Sequence, residues 1–289
     1  AVTDDLISIG PPYFNTIFVP LMMLLFVFVG IGPLSRWKQT SWAYLAAQLG
    51  KVLLASLLVG LIFPLIVLSK FSVAATITLL LASWIVFAIG KDISNKVSNK
   101  RSTFAGIKSL SFSYYGMVLA HIGIAVMLIG AALTSFFSEE RSVLLAPGES
   151  VELGGYLFTL EGSKRIEGPN YIGDEAELTV VNAGELLTVL YPQRRLYVAS
   201  GTPSTEMAID AGFFRDLFVT LGEGKGAGAW SMTLYVKPFV RWIWLGAILM
   251  AIGGTLAAGD KRYRRLRVRA ARESGRGSET QTSTELQPA

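Results

Sequence analysis

Cysteine is absent from the 289-residue chain, histidine occurs once, and charged residues make up only 16 %. Without cysteine there is no thiolate nucleophile and no disulfide anywhere in it. One imidazole without a thiol cannot close a zinc site, nor supply both ligands of a bis-histidine site. Whatever His121 binds must be completed from outside these residues. A Ser/His/Asp arrangement in the polar part is excluded too, because His121 lies in the apolar run 114–137. At its start the chain lacks an initiator Met, a charged n-region and a cleavage site, so this is no signal peptide.

What is there is apolar: 52 % of residues are hydrophobic, and they are concentrated in blocks. Those blocks, at about 13–34, 52–69, 71–91, 113–137 and 239–259, are near or above the roughly 20 residues that cross a bilayer. The second runs into the third across Ser69-Lys70, which predicts a tight helical hairpin. The basic residues set an orientation. Arg36, Lys38 and Lys51 follow the first span, and Lys91, Lys96, Lys100, Arg101 and Lys108 separate the third from the fourth. Lys261, Arg262, Arg264, Arg265, Arg267 and Arg269 follow the fifth. The positive-inside rule then puts the start and the region after span four outside, and the tail inside. A net charge of +5 invites a nucleic-acid reading. That reading is rejected, because the basic residues abut spans and act there as anchors against membrane lipids. An external start without a signal predicts earlier spans before Ala1, in a longer polypeptide or a split gene.

Between Ser138 and Lys237 the character changes. Two β-rich runs over 150–160 surround Gly154-Gly155, a two-residue hairpin signal. Runs 177–181 and 185–191 flank a second turn at 182–184, and 214–221 and 230–236 flank the glycine-rich loop 222–228. The loop lacks the strand-to-helix context and the Lys-Ser/Thr ending of a phosphate cradle, so it is a hairpin tip. Short strands at this spacing predict a small sandwich or open barrel. Arg194, Arg195, Glu206, Arg215 and Asp216 are expected as solvated strand ends and salt bridges, with substrate or partner contact as the alternative.

The fold class is thus a polytopic α-helical membrane protein with about five transmembrane helices and an inserted extracytoplasmic small all-β domain. The expected divisions are 1–137 (four spans, external N-terminus), 138–238 (β domain), 239–260 (final span) and 261–289 (basic, then disordered cytoplasmic tail).

An ionisable imidazole in the hydrocarbon core is costly, so His121 is expected to be a ligand, a proton relay or half of a polar pair, with hydrogen-bonded packing as the bland alternative. Gly116, Ala120, Gly123, Met127 and Gly130 share one stripe of the same span, a small-residue face for close helix packing. His121 lies beside it, with Met117, Ile124, Ala125 and Leu128 on its own face, and the small residues would admit a flat, bulky cofactor. Met117 and His121 point to the same side, so a second axial ligand must come from another helix. Pro20 and Pro64 are expected to kink spans one and two. Trp230, Phe239, Trp242 and Trp244 are expected in an interfacial aromatic belt, with a platform for a flat cofactor as the alternative.

The blocks IGPPYFNTIFVPLM, GIGPLSRWK, YYGMVLAHIGIAVMLIG, YPQRRLYVASGTPSTEMAIDAGFFRDLFVTLGE and VKPFVRWIWLGAILMAIGGTLA, taken in order, resemble the C-terminal third of the CcmF family. This is the large membrane subunit of the bacterial cytochrome c maturation (system I) haem lyase. The resemblance runs from about Ile9 to Ala258. It implies covalent attachment of haem to apocytochrome c, with vinyl groups forming thioethers to the two thiols of a CxxCH segment. It also implies haem delivery by the chaperone CcmE and apocytochrome presentation by CcmH/CcmI-type subunits. The resemblance also implies a haem b with two histidine ligands in the family's spans, with quinol as its electron source. One ligand stands in the AHIG context, so the carry-over is to His121 alone, as a haem iron axial ligand.

The family's tryptophan-rich outer loop, its two flanking outer histidines and the partner histidine of haem b do not occur in this sequence. They are expected in the N-terminal part of the same family protein, and the chain alone is not expected to be a competent lyase. The implied location is the bacterial inner (cytoplasmic) membrane, with the N-terminus and β domain periplasmic and the C-terminus cytoplasmic. A paralogue serving nitrite-reductase maturation would look nearly the same here. Two other readings stay open: a transporter or channel component with His121 as a proton relay, and an assembly scaffold presenting the β domain.

Overall fold

The computed structural model describes residues 13–35, 40–67, 71–100, 102–226 and 228–259. The external start, Arg36, Lys38, Lys70, Arg101 and the tail 261–289 lie outside the described residues.

Among the described residues five helices are long and apolar enough to span a membrane. The first begins with a π-helical turn at Phe14–Phe18, continues as α1 (Val19–Ile31) and closes in a 3₁₀ turn at Gly32–Leu34. Pro20 directly follows the π-helical turn, and the helix runs on through it. The second span, α2 (Trp42–Val67), starts ten residues before the apolar run expected from 52, and Pro64 lies inside it without ending it. Polar residues interrupt the hydropathy there, but Gln48 has a partner: its Oε1 accepts from Asn95 Nδ2 at 3.0 Å. Asn95 belongs to α3 (Val73–Val97), which also outruns its expected end and so takes in Asp92. A short α4 (Thr103–Lys108) is capped by Ser102, whose Oγ accepts from Ala105 N, before α5 (Phe112–Phe137).

Ten strands follow: β1 (Glu139–Leu145), β2 (Ser150–Leu153), β3 (Tyr156–Glu167), β4 (Tyr171–Asn182), β5 (Glu185–Leu190), β6 (Gln193–Tyr197), β7 (Thr202–Glu206), β8 (Ala208–Ala211), β9 (Arg215–Gly224) and β10 (Trp230–Pro238). The chain then enters α6 (Val240–Ala258). One antiparallel sheet runs β1-β10-β9-β8 and the other β2-β3-β4-β6-β7, with β5 also on β4. All three expected hairpins form. Gly154 and Gly155 both take positive φ, as do Ala183 and Gly184, which is the conformation a two-residue turn needs to match strand twist. Tyr191-Pro192 interrupts the strand pairing with β4, and the Pro192 carbonyl still accepts from Ala176 N at 3.0 Å.

The sandwich core is made by alternate residues of the two sheets. Phe158, Leu160, Leu178 and Val180 face Leu217, Val219, Leu221 and Leu234, all fully buried. Each such side chain contributes about 1.5–3 kcal/mol relative to exposure. Trp230 belongs to this core, 9 % exposed, with its Nε1 donating to Ser163 Oγ at 2.9 Å. The aromatic-belt expectation is therefore corrected for Trp230.

Two compact units divide the chain, one of Ala1–Leu58, Leu81–Ala125 and Gly246–Ala289, the other of Val59–Leu80 and Val126–Leu245. In the first, Trp84 Nε1 donates to the Val27 carbonyl at 3.1 Å and ties α3 to α1. In the second, a Cβ on Gly60 would lie 2.7 Å from Leu80 Cβ, so α2 and α3 meet there almost backbone to backbone.

Candidate functional site

His121 is half-buried on α5, and its Nδ1 lies 2.8 Å from the carbonyl oxygen of Met117, one turn earlier. A carbonyl can only accept, so Nδ1 carries the proton. In the neutral ring Nε2 then bears the in-plane lone pair. This is the arrangement that prepares an imidazole for a metal: one nitrogen held by an oxygen acceptor, the other presented. Among the described residues no group of three His, Cys, Asp or Glu side chains is placed to hold a metal ion.

The small-residue stripe beside His121 does bring a helix close. A Cβ on Gly123 would lie 2.7 Å from the Gly246 carbonyl oxygen, and one on Gly130 would lie 2.8 Å from Ile243 N. Gly253 of α6 likewise fits against Gly116 and Ala120. This face is therefore filled by α6 and does not admit a flat cofactor, which corrects that expectation. His121 is rotated from Ala120 by about 100° on the helix, off the seam.

A second polar constellation was missed because the apolar run was ended at Lys91. Asp92 is 5 % exposed, accepts from Tyr114 Oη at 2.7 Å, and pairs with Lys96 one turn on. The Lys96 ammonium also lies 4.6 Å from the centre of the Tyr114 ring. The available signal was an acid and a base four apart at the end of an apolar run. Asp92 joins α3 to α5, and as a buried carboxylate it is held by two donors.

In the β region the arginines and acids singled out in the sequence do pair. Arg194 faces Glu223 at 3.8 Å, Arg195 faces Glu206 at 3.9 Å and stacks over Tyr171, and Arg215 pairs with Asp210. Asp216 is buried, accepts from Gly212 N at 3.1 Å and lies 3.9 Å from Arg241 Nε. Arg165, Arg194 and Arg195 also line an open groove of about 270 Å³ with Asp174 and Pro203. Across sheet pairing, Lys164 meets Glu175 at 2.9 Å. The Lys164 ammonium, aided by Gln193, holds the Glu175 carboxyl below the usual carboxylate range against the opposing effect of burial.

Likenesses to known proteins bear on this architecture. The family description "CcmF C-terminal beta-sandwich" matches residues 136–238, which is the span of the two sheets. The cytochrome c-type biogenesis protein CcmF of Pseudomonas fluorescens is 47 % identical over 264 residues, covering 91 % of this chain and 40 % of its own. This chain belongs to the CcmF family. CcmF of Escherichia coli (strain K12) is 39 % identical over 259 residues, covering 90 % of this chain and 39 % of its own. A solved structure titled "Cytochrome c Heme Lyase CcmF" superposes with a TM-score of 0.68 at 25 % identity, over 86 % of this chain and 40 % of that one. The chain thus spans about two fifths of the length of the CcmF relatives it matches. The family role is cytochrome c biogenesis, and five candidate spans make this member a multi-pass membrane protein.

Proposed function

We propose that this chain forms the C-terminal portion of a haem lyase subunit of cytochrome c maturation, and that His121 gives one axial ligand to a membrane haem b. The bond from Nδ1 to the Met117 carbonyl carries the ligand assignment, because it fixes the ring and leaves Nε2 as the donor. The donor set fits half of a bis-histidine site. His121 is the only histidine, so the other ligand comes from the N-terminal part of the same family protein. When bound, the haem supplies a one-electron iron couple inside the bilayer. The chain's own contribution is positional. The Gly116–Gly253 and Gly123–Gly246 contacts fix α5 against α6, and the Met117 carbonyl fixes the imidazole on α5.

We assign 1–137 to four spans with an external N-terminus, 138–238 to a periplasmic β domain, 239–260 to the last span and 261–289 to the cytoplasm. Two observations support this. The basic residues gather at the ends of spans one, three and five. Both joints between spans and sheets are short, since α5 ends at Phe137 before Glu139, and β10 ends at Pro238 before Val240. A domain joined so closely at both ends shares one side of the bacterial inner membrane with both span termini. There it is available to haem-loaded CcmE, to CcmH/CcmI-type subunits and to apocytochrome c, while quinol in the bilayer is the electron source for haem b. The chain supports thioether formation without carrying it out alone.

The test is a dithionite-reduced spectrum with a pyridine haemochrome assay on the complex co-expressed with the N-terminal part, comparing wild type with His121→Ala. A b-type signal lost in a monodisperse His121→Ala complex supports the ligand. An unchanged signal places both ligands elsewhere and leaves His121 as packing or a proton relay.

A further inference from the structure

The turn between β8 and β9 is Gly212-Phe213-Phe214, and both phenylalanines are exposed, at 54 % and 61 %. Turns favour Gly, Asn, Asp and Ser, and two adjacent large apolar side chains in one have no local reason to be there. They are not part of the sandwich core, to which β9 contributes Leu217, Val219 and Leu221 instead. Their position is fixed by the start of the last span. Phe239 N donates to the Phe214 carbonyl at 2.9 Å, and Val240 opens α6 one residue later. The Phe214 and Phe239 ring centres lie 5.8 Å apart, and Phe213 lies 5.9 Å from the ring of Trp242.

The neighbouring span ends at the same level, since Thr134 Oγ1 donates to the Pro238 carbonyl at 2.6 Å. Phe239 itself is held at φ 57°, a costly conformation for a bulky residue that persists only where surrounding contacts impose it. Further round the same helix start, Trp244 is 69 % exposed and Arg241 is 52 % exposed. Exposed aromatics with a cation, at the end of a span, match the chemistry of the bilayer interface, where rings sit among headgroups and guanidinium meets phosphate.

We propose that the β8–β9 turn is a membrane anchor: Phe213 and Phe214 insert into the lipid headgroup region beside the first turn of α6. The partner is the lipid surface, chosen because the patch is continuous with a spanning helix. The β domain is thereby held to the bilayer by its own turn as well as by its two chain connections. Such a third point fixes tilt, which two joints close together leave free. The inference rests on Val240–Ala258 crossing a bilayer and is independent of His121 and of haem.

The absence of cysteine makes the test direct. Phe213→Cys and Phe214→Cys are made separately in the full chain, spin-labelled and placed in nanodiscs of phosphatidylcholine and phosphatidylglycerol. Lys225→Cys serves as the reference. It lies just past the far end of β9, roughly 35 Å along the strand from Phe214 at the usual rise per residue. Power saturation is then read with oxygen and with a water-soluble nickel complex as relaxants. Label at 213 or 214 is expected to relax with oxygen and lose relaxation by nickel, with the reverse at 225. Nickel-dominated relaxation at both turn positions overturns the anchor. Exclusion of both relaxants also overturns it, because the turn is then covered by protein rather than lipid. Either variant alone decides the matter if the other fails to fold.

Discussion

Gly116 and Gly253 lie backbone to backbone: a Cβ added to either would sit 2.5 Å from the carbonyl oxygen of the other. No flexible side chain can yield at that contact. Gly116→Ala or Gly253→Ala is therefore expected to push α5 and α6 apart and destabilise the helix pair by about 1–3 kcal/mol. Gly254→Ala, where a Cβ meets nothing within 4 Å, is expected instead to be neutral or stabilising by up to about 1 kcal/mol. Thermal unfolding in detergent compares the three, and equal midpoints for Gly253→Ala and Gly254→Ala would refute the seam.

The Asp92–Tyr114 bond makes a second prediction. Tyr114→Phe removes a donor from a buried carboxylate and is expected to cost about 1–3 kcal/mol. Asp92→Asn strands Lys96 as well, although that ammonium is 41 % exposed and so recovers part of its hydration. In a double-mutant cycle the two changes should be non-additive by about 0.5–3 kcal/mol. Strict additivity would mean that the bond does not join α3 to α5.

The Lys164–Glu175 pair predicts a pH dependence of the sheet. The hydrogen bond from Lys164 lowers the Glu175 pKa, so its stabilising contribution is present above the unfolded carboxylate value of 4.5 and is lost as pH falls through the lower folded value. The bond to Glu175 raises the Lys164 pKa in turn. That contribution is present below 10.5 and is lost as pH rises through the higher folded value. Melting of wild type and Glu175→Gln should differ between these limits and converge towards acid. A gap that persists unchanged at acid pH would assign the difference to packing.

Much of the fold is legible in the residues. Hydropathy placed every span, because a helix that faces hydrocarbon must be apolar along its whole length. The glycine pair at 154–155 and Gly184 placed two hairpins, because glycine accepts the positive φ of such turns without strain. The start of α2 and the end of α3 were displaced because Gln48, Asp92 and Asn95 are polar. Their polarity is satisfied by partners on other helices, which a hydropathy window does not see. β1 was not anticipated either. Its partner, β10, begins at Trp230, and nothing local in Glu139–Leu145 points to it.

The site divides in the same way. By itself the sequence determined that one histidine lies in a span, that it cannot complete a metal site within this chain, and that a stripe of small residues runs beside it. These follow from residue identity and helical period alone. Only the tertiary structure decided that α6 fills the stripe, that Asp92 is held by Tyr114 and Lys96, that Trp230 belongs to the sandwich core, and that Phe213 and Phe214 stand beside the start of the last span. Each of those depends on which distant element arrives opposite a given face, and that is fixed by packing and backbone hydrogen bonding across the fold rather than by the local pattern.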